Sequence, residues 1–211
     1  MPRRTKAEAE QTRHKLLDAA EALFLARGVS RTSLQDIAAD AGTSRGAIYW
    51  HFQDKADLFN AMLQRVTLPL EQALQAAAEP SAAAVTPLRG LFDTLMAALH
   101  ATVHDPQTGR VFEIATHKVE YVDELQAVAQ RRQQAMNDMR GLIQQALERT
   151  ADRLERTLPM PAAAAALGLN VLVDGLIINW LIDRTAFDLE AAGRLALRNY
   201  FRGLGLDDAL D

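Results

Sequence analysis

Apolar side chains recur three and four positions apart along nearly the whole chain, and no run alternates β-branched with polar residues. That period places apolar groups on one face of successive helices and leaves nothing to build a sheet core, so the sequence predicts an all-α protein. Leu16, Ala20, Leu23 and Phe24 share one face of a first helix, which Gly28 should end. Thr32 is expected to open a second helix, with Gln35 in capping-box spacing and Leu34, Ile37, Ala38 and Ala41 as its stripe, until Gly42 stops it. Thr43 or Ser44 caps a third helix carrying Ala47, Ile48 and Phe52, and Asp54 caps a fourth with Leu58, Phe59, Met62 and Val66 on one side.

Pro69 lies within this fourth pattern and is expected to kink or end it. An Ala-rich loop between Pro80 and Pro87 precedes an amphipathic helix bearing Leu88, Leu91, Phe92, Leu95, Met96 and Leu99. Asp105, Pro106 and Gly109 should then break the chain before a short segment at 110–118. A long helix from about Val122 to Leu154, an apolar one from Ala162 to Ile182 and a last one from about Leu189 to Leu204 complete the expectation.

The 162–182 stretch approaches the length that crosses a bilayer. Five consecutive alanines, two glycines and Asp174 weaken insertion, and there is neither a second such stretch nor a basic flanking loop. It reads as a buried helix in the core or against a second subunit, with no membrane involved.

The chain of 211 residues carries a formal charge of −4, which taken as a whole is a poor match to a polyanion, but the balance is uneven. Residues 1–60 hold 9 basic and 8 acidic side chains, whereas the rest hold 14 and 19. The absence of Cys removes disulfides, thiolate ligands, cysteine nucleophiles and any thiol switch, and fits the reducing cytoplasm. Residues 7–11 are too polar for the apolar core of an export signal.

The informative tract is Thr32–Lys55, in which two short helices are joined by Ala41-Gly42-Thr43 in helix-turn-helix spacing. Thr43, Ser44 and Arg45 stand at the start of the second of these, where a recognition helix offers side chains and free backbone amides to the major groove. Arg45 can donate two hydrogen bonds to a guanine edge, and Gly46 lets the helix approach closely. Tyr49 and His51 can donate to phosphates, Lys55 adds charge at the start of the fourth helix, and Trp50 is an odd choice for an ordinary surface.

These residues resemble the DNA-binding domain of the TetR/AcrR family of bacterial regulators. The resemblance runs from Thr12-Arg13 through Ala19-Ala20, Phe24, Gly28, Thr32, Ile37-Ala38, Ala41-Gly42 and Lys55-Leu58, and is sharpest in Arg45-Gly46-Ala47-Ile48-Tyr49-Trp50-His51-Phe52. That octet, with the opening Arg3-Arg4-Thr5-Lys6, is similar to the subgroup that represses multidrug efflux pumps. The resemblance implies a homodimer that binds an operator in double-stranded DNA through a head of residues 1–53. Residues 54–211 would bind a small apolar or aromatic effector and dimerise through the last two helices, with helix 54–78 as connector. It adds Arg3, Thr32, Ser33 and Trp50 to the candidate DNA contacts, and puts Val66, Leu91, Leu95, Met96, Phe112, Thr116, Asp174 and Ile177 at the effector site.

Other classes fare worse. An enzyme would need a nucleophile elbow, a phosphate-cradling glycine loop or a dinucleotide fingerprint, and none is present. A helical protein adaptor leaves Arg45, Lys55 and the capped Thr43-Ser44 turn without a joint role. A regulator of a catabolic or lipid operon shares the same head and stands as the alternative within the family. His100 and His104 lie one turn apart and His117 follows, but the sequence shows no carboxylate converging on them, so neither metal nor cofactor is expected.

Overall fold

The computed structural model describes residues 6–78, 86–119 and 126–210, and among them every regular element is helical. The order is α1 (Lys6–Arg27), α2 (Leu34–Asp40), α3 (Arg45–His51), α4 (Lys55–Ala78), α5 (Pro87–His104), α6 (Pro106–His117), α7 (Gln126–Arg153), α8 (Ala162–Ile182) and α9 (Leu189–Gly203), closed by a short 3-10 turn at Asp207–Leu210. The all-α expectation therefore holds. Arg3, most of the Ala-rich loop and the expected start of the long helix at Val122 lie outside the described residues.

Packing divides the chain into two compact units, one of Met1–Val66 with Arg110–Gln133 and one of Thr67–Gly109 with Gln134–Asp211. In the first, Leu16, Leu17, Ala20 and Phe24 of α1 meet Ile37 of α2, Ile48 of α3 and Leu58, Phe59 and Met62 of α4, and Val111 and Ile114 join the same core. Gly28 ends α1 at φ 85°, a left-handed conformation that a β-carbon would strain. The next amide, of Val29, donates to the Lys118 carbonyl at 3.0 Å. Glu21 is buried on α1, and its carboxylate is held by Arg65, with Arg110 at 3.5 Å. Removing a buried charge's partner costs several kcal/mol, so these three side chains are mutually obligatory.

In the second unit, α9 packs against both α5 and α8. Gly193 makes the α5 contact possible, since a β-carbon there would collide with the Leu99 side chain. Gly168 does the same on α8, where Tyr200 crosses it to donate to the Ala165 carbonyl at 2.7 Å. Burial pushes the Tyr200 phenol pKa above its ordinary value. Phe92 and Phe201 meet at 6.5 Å, and the C-terminal turn is tied down where Thr86 donates to Ala209 at 2.7 Å and Arg89 to Leu210 at 2.8 Å.

One local expectation changes and two are sharpened. Ser33, not Thr32, caps α2, with Asp36 rather than Gln35 completing the box; Thr32 instead turns inward and donates to the Gly28 carbonyl at 2.9 Å. Of the two outcomes expected at Pro69, a kink or an end, the helix does not end there but runs on to Ala78, as the 54–78 connector requires; a proline removes only one hydrogen bond from a helix of 24 residues. The expected break before 110 narrows to Asp105, between α5 and α6, and Pro106 and Gly109 belong to α6, which begins at Pro106. The Asp105 carboxylate accepts from the Gln107 and Thr108 amides at 3.1 Å each, and Pro106 stands in the first turn, where no N–H is needed.

Candidate nucleic-acid interface

α2 and α3 are short because each is bounded by chemistry that cannot continue it. Ser33 accepts from the Asp36 amide at 3.1 Å while the Asp36 carboxylate accepts from the Ser33 amide at 2.9 Å. The Ser33 hydroxyl, which also donates to that carboxylate, and then the Ser33 amide hold the Asp36 carboxyl below its usual pKa. Gly42 turns the chain at φ 62°, and Ser44 then caps α3 by accepting from the Ala47 amide at 3.2 Å. Ile48 is the anchor of α3, fully buried, and Phe52 follows it into the core beneath the Arg13 guanidinium, 5.3 Å from the ring centroid. One apolar anchor thus fixes α3 and turns its remaining positions outward.

The outward set is unusual for a surface. Ser44, Arg45 and Gly46 are exposed, and so are Tyr49 and Trp50, the latter 73% exposed. Arg45 lies over the Tyr49 ring at 5.7 Å, and Trp50 meets His51 edge-on at 4.6 Å. A β-carbon at Gly46 would meet only the Ser44 hydroxyl oxygen, 4.0 Å away, so the protein's own packing does not demand glycine there. Thr43 is half-buried, its hydroxyl donating to the Ser44 carbonyl at 3.3 Å. The Ser33 hydroxyl donates to Asp36 at 2.6 Å.

Two expected contacts are revised by burial. Thr32 is 1% exposed with its hydroxyl used internally, and Lys55 is 6% exposed, its ammonium donating to the carbonyls of Ser30 at 3.3 Å and Thr32 at 3.2 Å. Both brace the turn that carries α2 rather than presenting donors outward. The Arg13 contact was missed in the sequence, where nothing marks which face of α1 lies over the end of α3.

The expected effector residues divide between the units. Val66, Phe112 and Thr116 fall in the first, where the Thr116 hydroxyl donates to its own helix at Phe112, 2.7 Å away. Leu91, Leu95 and Met96 of α5 and Ile177 of α8 are buried in the second. Asp174 is half-buried and accepts from Asn170 one turn earlier at 2.8 Å. A cleft of about 540 Å³ on the second unit has a different lining that includes Val171, Leu172, Leu176 and Phe187. It sits in an aliphatic surface of α8 and α9, where Leu167, Val171 (59% exposed), Ile182 and Leu195 face outward. α8 is also the one described helix long and apolar enough to cross a membrane by length and composition.

Residues 16–62 match the family model of bacterial regulatory proteins, tetR family, and residues 86–205 match that of the MAATS-type transcriptional repressor, C-terminal region. The HTH-type transcriptional regulator TtgR of Pseudomonas putida is 40% identical over 189 residues, covering 90% of this chain and 89% of that one. The crystal structure of NalD, the secondary repressor of the MexAB-OprM multidrug efflux pump in Pseudomonas aeruginosa, superposes with TM-score 0.81 at 37% identity, covering 92% of this chain and 97% of that one. The complex of SmeT with triclosan superposes with TM-score 0.80 at 30% identity, covering 91% and 90%. SmeT is the repressor of the Stenotrophomonas maltophilia multidrug efflux pump SmeDEF.

Proposed function

The chain belongs to the tetR family of bacterial regulatory proteins, and on that premise we propose that it represses a multidrug efflux operon until a small apolar or aromatic compound releases it. It is a transcriptional repressor rather than an enzyme, binding operator DNA as a dimer and responding to a small-molecule effector. The observation that carries the reading is the outward face of α3, where one buried anchor leaves Ser44, Arg45, Gly46, Tyr49 and Trp50 available together.

In the proposed contact the capped N-terminus of α3 enters the major groove. Arg45 reads a guanine edge through its two parallel donors, Ser44 and Thr43 reach a base or phosphate, and Gly46 leaves room for the duplex backbone. Tyr49, Trp50 and His51 grip the flanking phosphate strand, and Ser33 and Arg3 supply peripheral phosphate contacts. The head comprises residues 1–53, the regulatory domain 54–211, and helix 54–78 joins them.

The aliphatic surface of α8 and α9 is the proposed seat of the second subunit, because solvent-exposed leucine, valine and isoleucine on neighbouring helices gain most by mutual burial. The effector is proposed to meet the second unit at Leu91, Leu95, Met96, Asp174 and Ile177. Apolar walls with a single carboxylate suit an aromatic compound carrying one donor, and Asp174 would exchange its Asn170 hydrogen bond for that donor. Release requires the effector to favour the non-binding dimer by about 1–3 kcal/mol. The proposed location is the cytoplasm, where the operator lies.

The test is a gel shift of the full chain with duplex from beside its own gene, repeated across salt concentrations. The expected result is a steep linear fall of log affinity with log salt, reporting several phosphates, and a preference for that duplex over random sequence. Equal affinity for both duplexes would sink the operator reading. Triclosan or a related aromatic biocide that leaves the shift unchanged at saturation would sink the effector reading separately.

A further inference from the structure

The structure assigns a metal site to the second unit: we propose that His100, His104 and Glu190 bind one divalent transition ion of the zinc class. The two histidines lie one turn apart on α5, so their rings share a face, with centroids 4.3 Å apart and planes inclined at 39°. Glu190, in the first turn of α9, reaches between them. Its carboxylate lies 3.2 Å from His100 Nδ1 and 2.7 Å from His104 Nε2, and the three potential ligand atoms all fall within 4.8 Å of one another.

Those separations are within reach of one ion. The two histidines meet different carboxylate oxygens, Oε2 and Oε1, and the ligand atoms spread over as much as 4.8 Å, so zinc bonds of about 2.0–2.1 Å, which put tetrahedral neighbours about 3.3–3.4 Å apart, require these side chains to close on the ion. Two imidazoles and a carboxylate, with no thiolate, favour zinc, nickel or copper(II), whereas calcium and magnesium demand more oxygen ligands. Both histidines are exposed and Glu190 is half-buried, which leaves an entry path and a fourth position for water.

The cluster is also positioned by the fold. The Asp188 carboxylate accepts from the Ala191 amide at 2.9 Å and fixes the turn that carries Glu190. Gly193 lets α9 close on Leu99, the residue before His100, so the helix spacing at the cluster is set by packing. Bound metal would cross-link the last turn of α5 to the first turn of α9.

The experiment uses the full chain with any affinity tag removed, stripped by chelator and titrated calorimetrically with zinc chloride. One zinc per chain is expected, unaffected by excess magnesium, and cobalt(II) should give the visible ligand-field absorption of a low-symmetry nitrogen–oxygen site. Zinc at a hundredfold above its dissociation constant should raise Tm by about 5–10 °C. His104→Gln and Glu190→Gln should each weaken binding at least tenfold, while His117→Gln on α6 leaves it unchanged. Because the substituted side chains lie at the surface, the metal-free Tm of each variant checks folding. Absence of saturable zinc binding overturns the proposal, and so does binding that survives His100→Gln/His104→Gln. Neither outcome touches operator recognition, which is read by gel shift.

Discussion

The face of α3 and the face shared by α8 and α9 are both exposed and both contain large apolar side chains, yet they are built for different partners. On α3 the exposed apolar groups are Tyr49 and Trp50, which carry a donor each and stand beside Arg45 and Ser44. On α8 and α9 they are Leu167, Val171, Ile182 and Leu195, which carry none. Donors and a cation match phosphates and base edges, whereas an aliphatic surface gains only by excluding water against another such surface. In the proposed reading the same hydrophobic exposure serves nucleic acid in one region and protein in the other, and the polar handle tells them apart.

The sharpest way to break this contrast is Val171→Glu, which puts a charge in the aliphatic face. If that face seats the second subunit, dimer dissociation by sedimentation should strengthen about 100-fold, roughly 3 kcal/mol, with operator affinity falling in step. An unchanged dimer would show that the aliphatic surface has another use. Gly193→Ala tests whether packing of α5 on α9 is as tight as the Leu99 contact demands. A loss of about 1–3 kcal/mol in urea unfolding is expected, whereas Gly46→Ala on α3 should leave stability near wild type and act on DNA binding alone.

Within the head, Arg45→Ala should lower discrimination between operator and altered sites by about 1–3 kcal/mol in competition shifts, while Tyr49→Phe weakens all duplexes alike. Loss of discrimination in both would mean that the two side chains do not divide base reading from phosphate contact. Ser44→Ala removes the α3 cap and should cost about 1 kcal/mol by thermal unfolding. The smallest effect belongs to Asp36. Its folded pKa is depressed, so its stabilisation is complete above the ordinary carboxylate value and is lost as pH falls through the lowered one. Asp36→Asn should therefore be less stable than wild type at neutral pH, and the gap should close in acid.

The head was legible because its information is local. Apolar period, glycine stops and the serine cap lie within a few residues of the elements they bound, and so does the helix-turn-helix spacing. Even there, the sequence placed the α2 cap one residue early, since Thr32 and Ser33 are both competent and only packing turns Thr32 toward Gly28. Lys55 reads as an exposed cation until burial brings it to the carbonyls of Ser30 and Thr32, more than twenty residues away. Pro106 reads as part of a longer break because a proline serves equally well to start a helix.

The second unit gave less away. Its α8 is apolar on several sides, so its composition asks for burial without saying against what. Glu21 and its arginines, and Glu190 with its two histidines, show the same gap between spacing and contact. The sequence by itself determined an all-α chain, the boundaries of most helices and a DNA-reading tract, because hydrophobic period and capping act over one or two turns. Only the tertiary structure decided which charged and polar side chains meet. A carboxylate 86 residues from His104 acquires that neighbour through the packing of one helix on another, which no local pattern records.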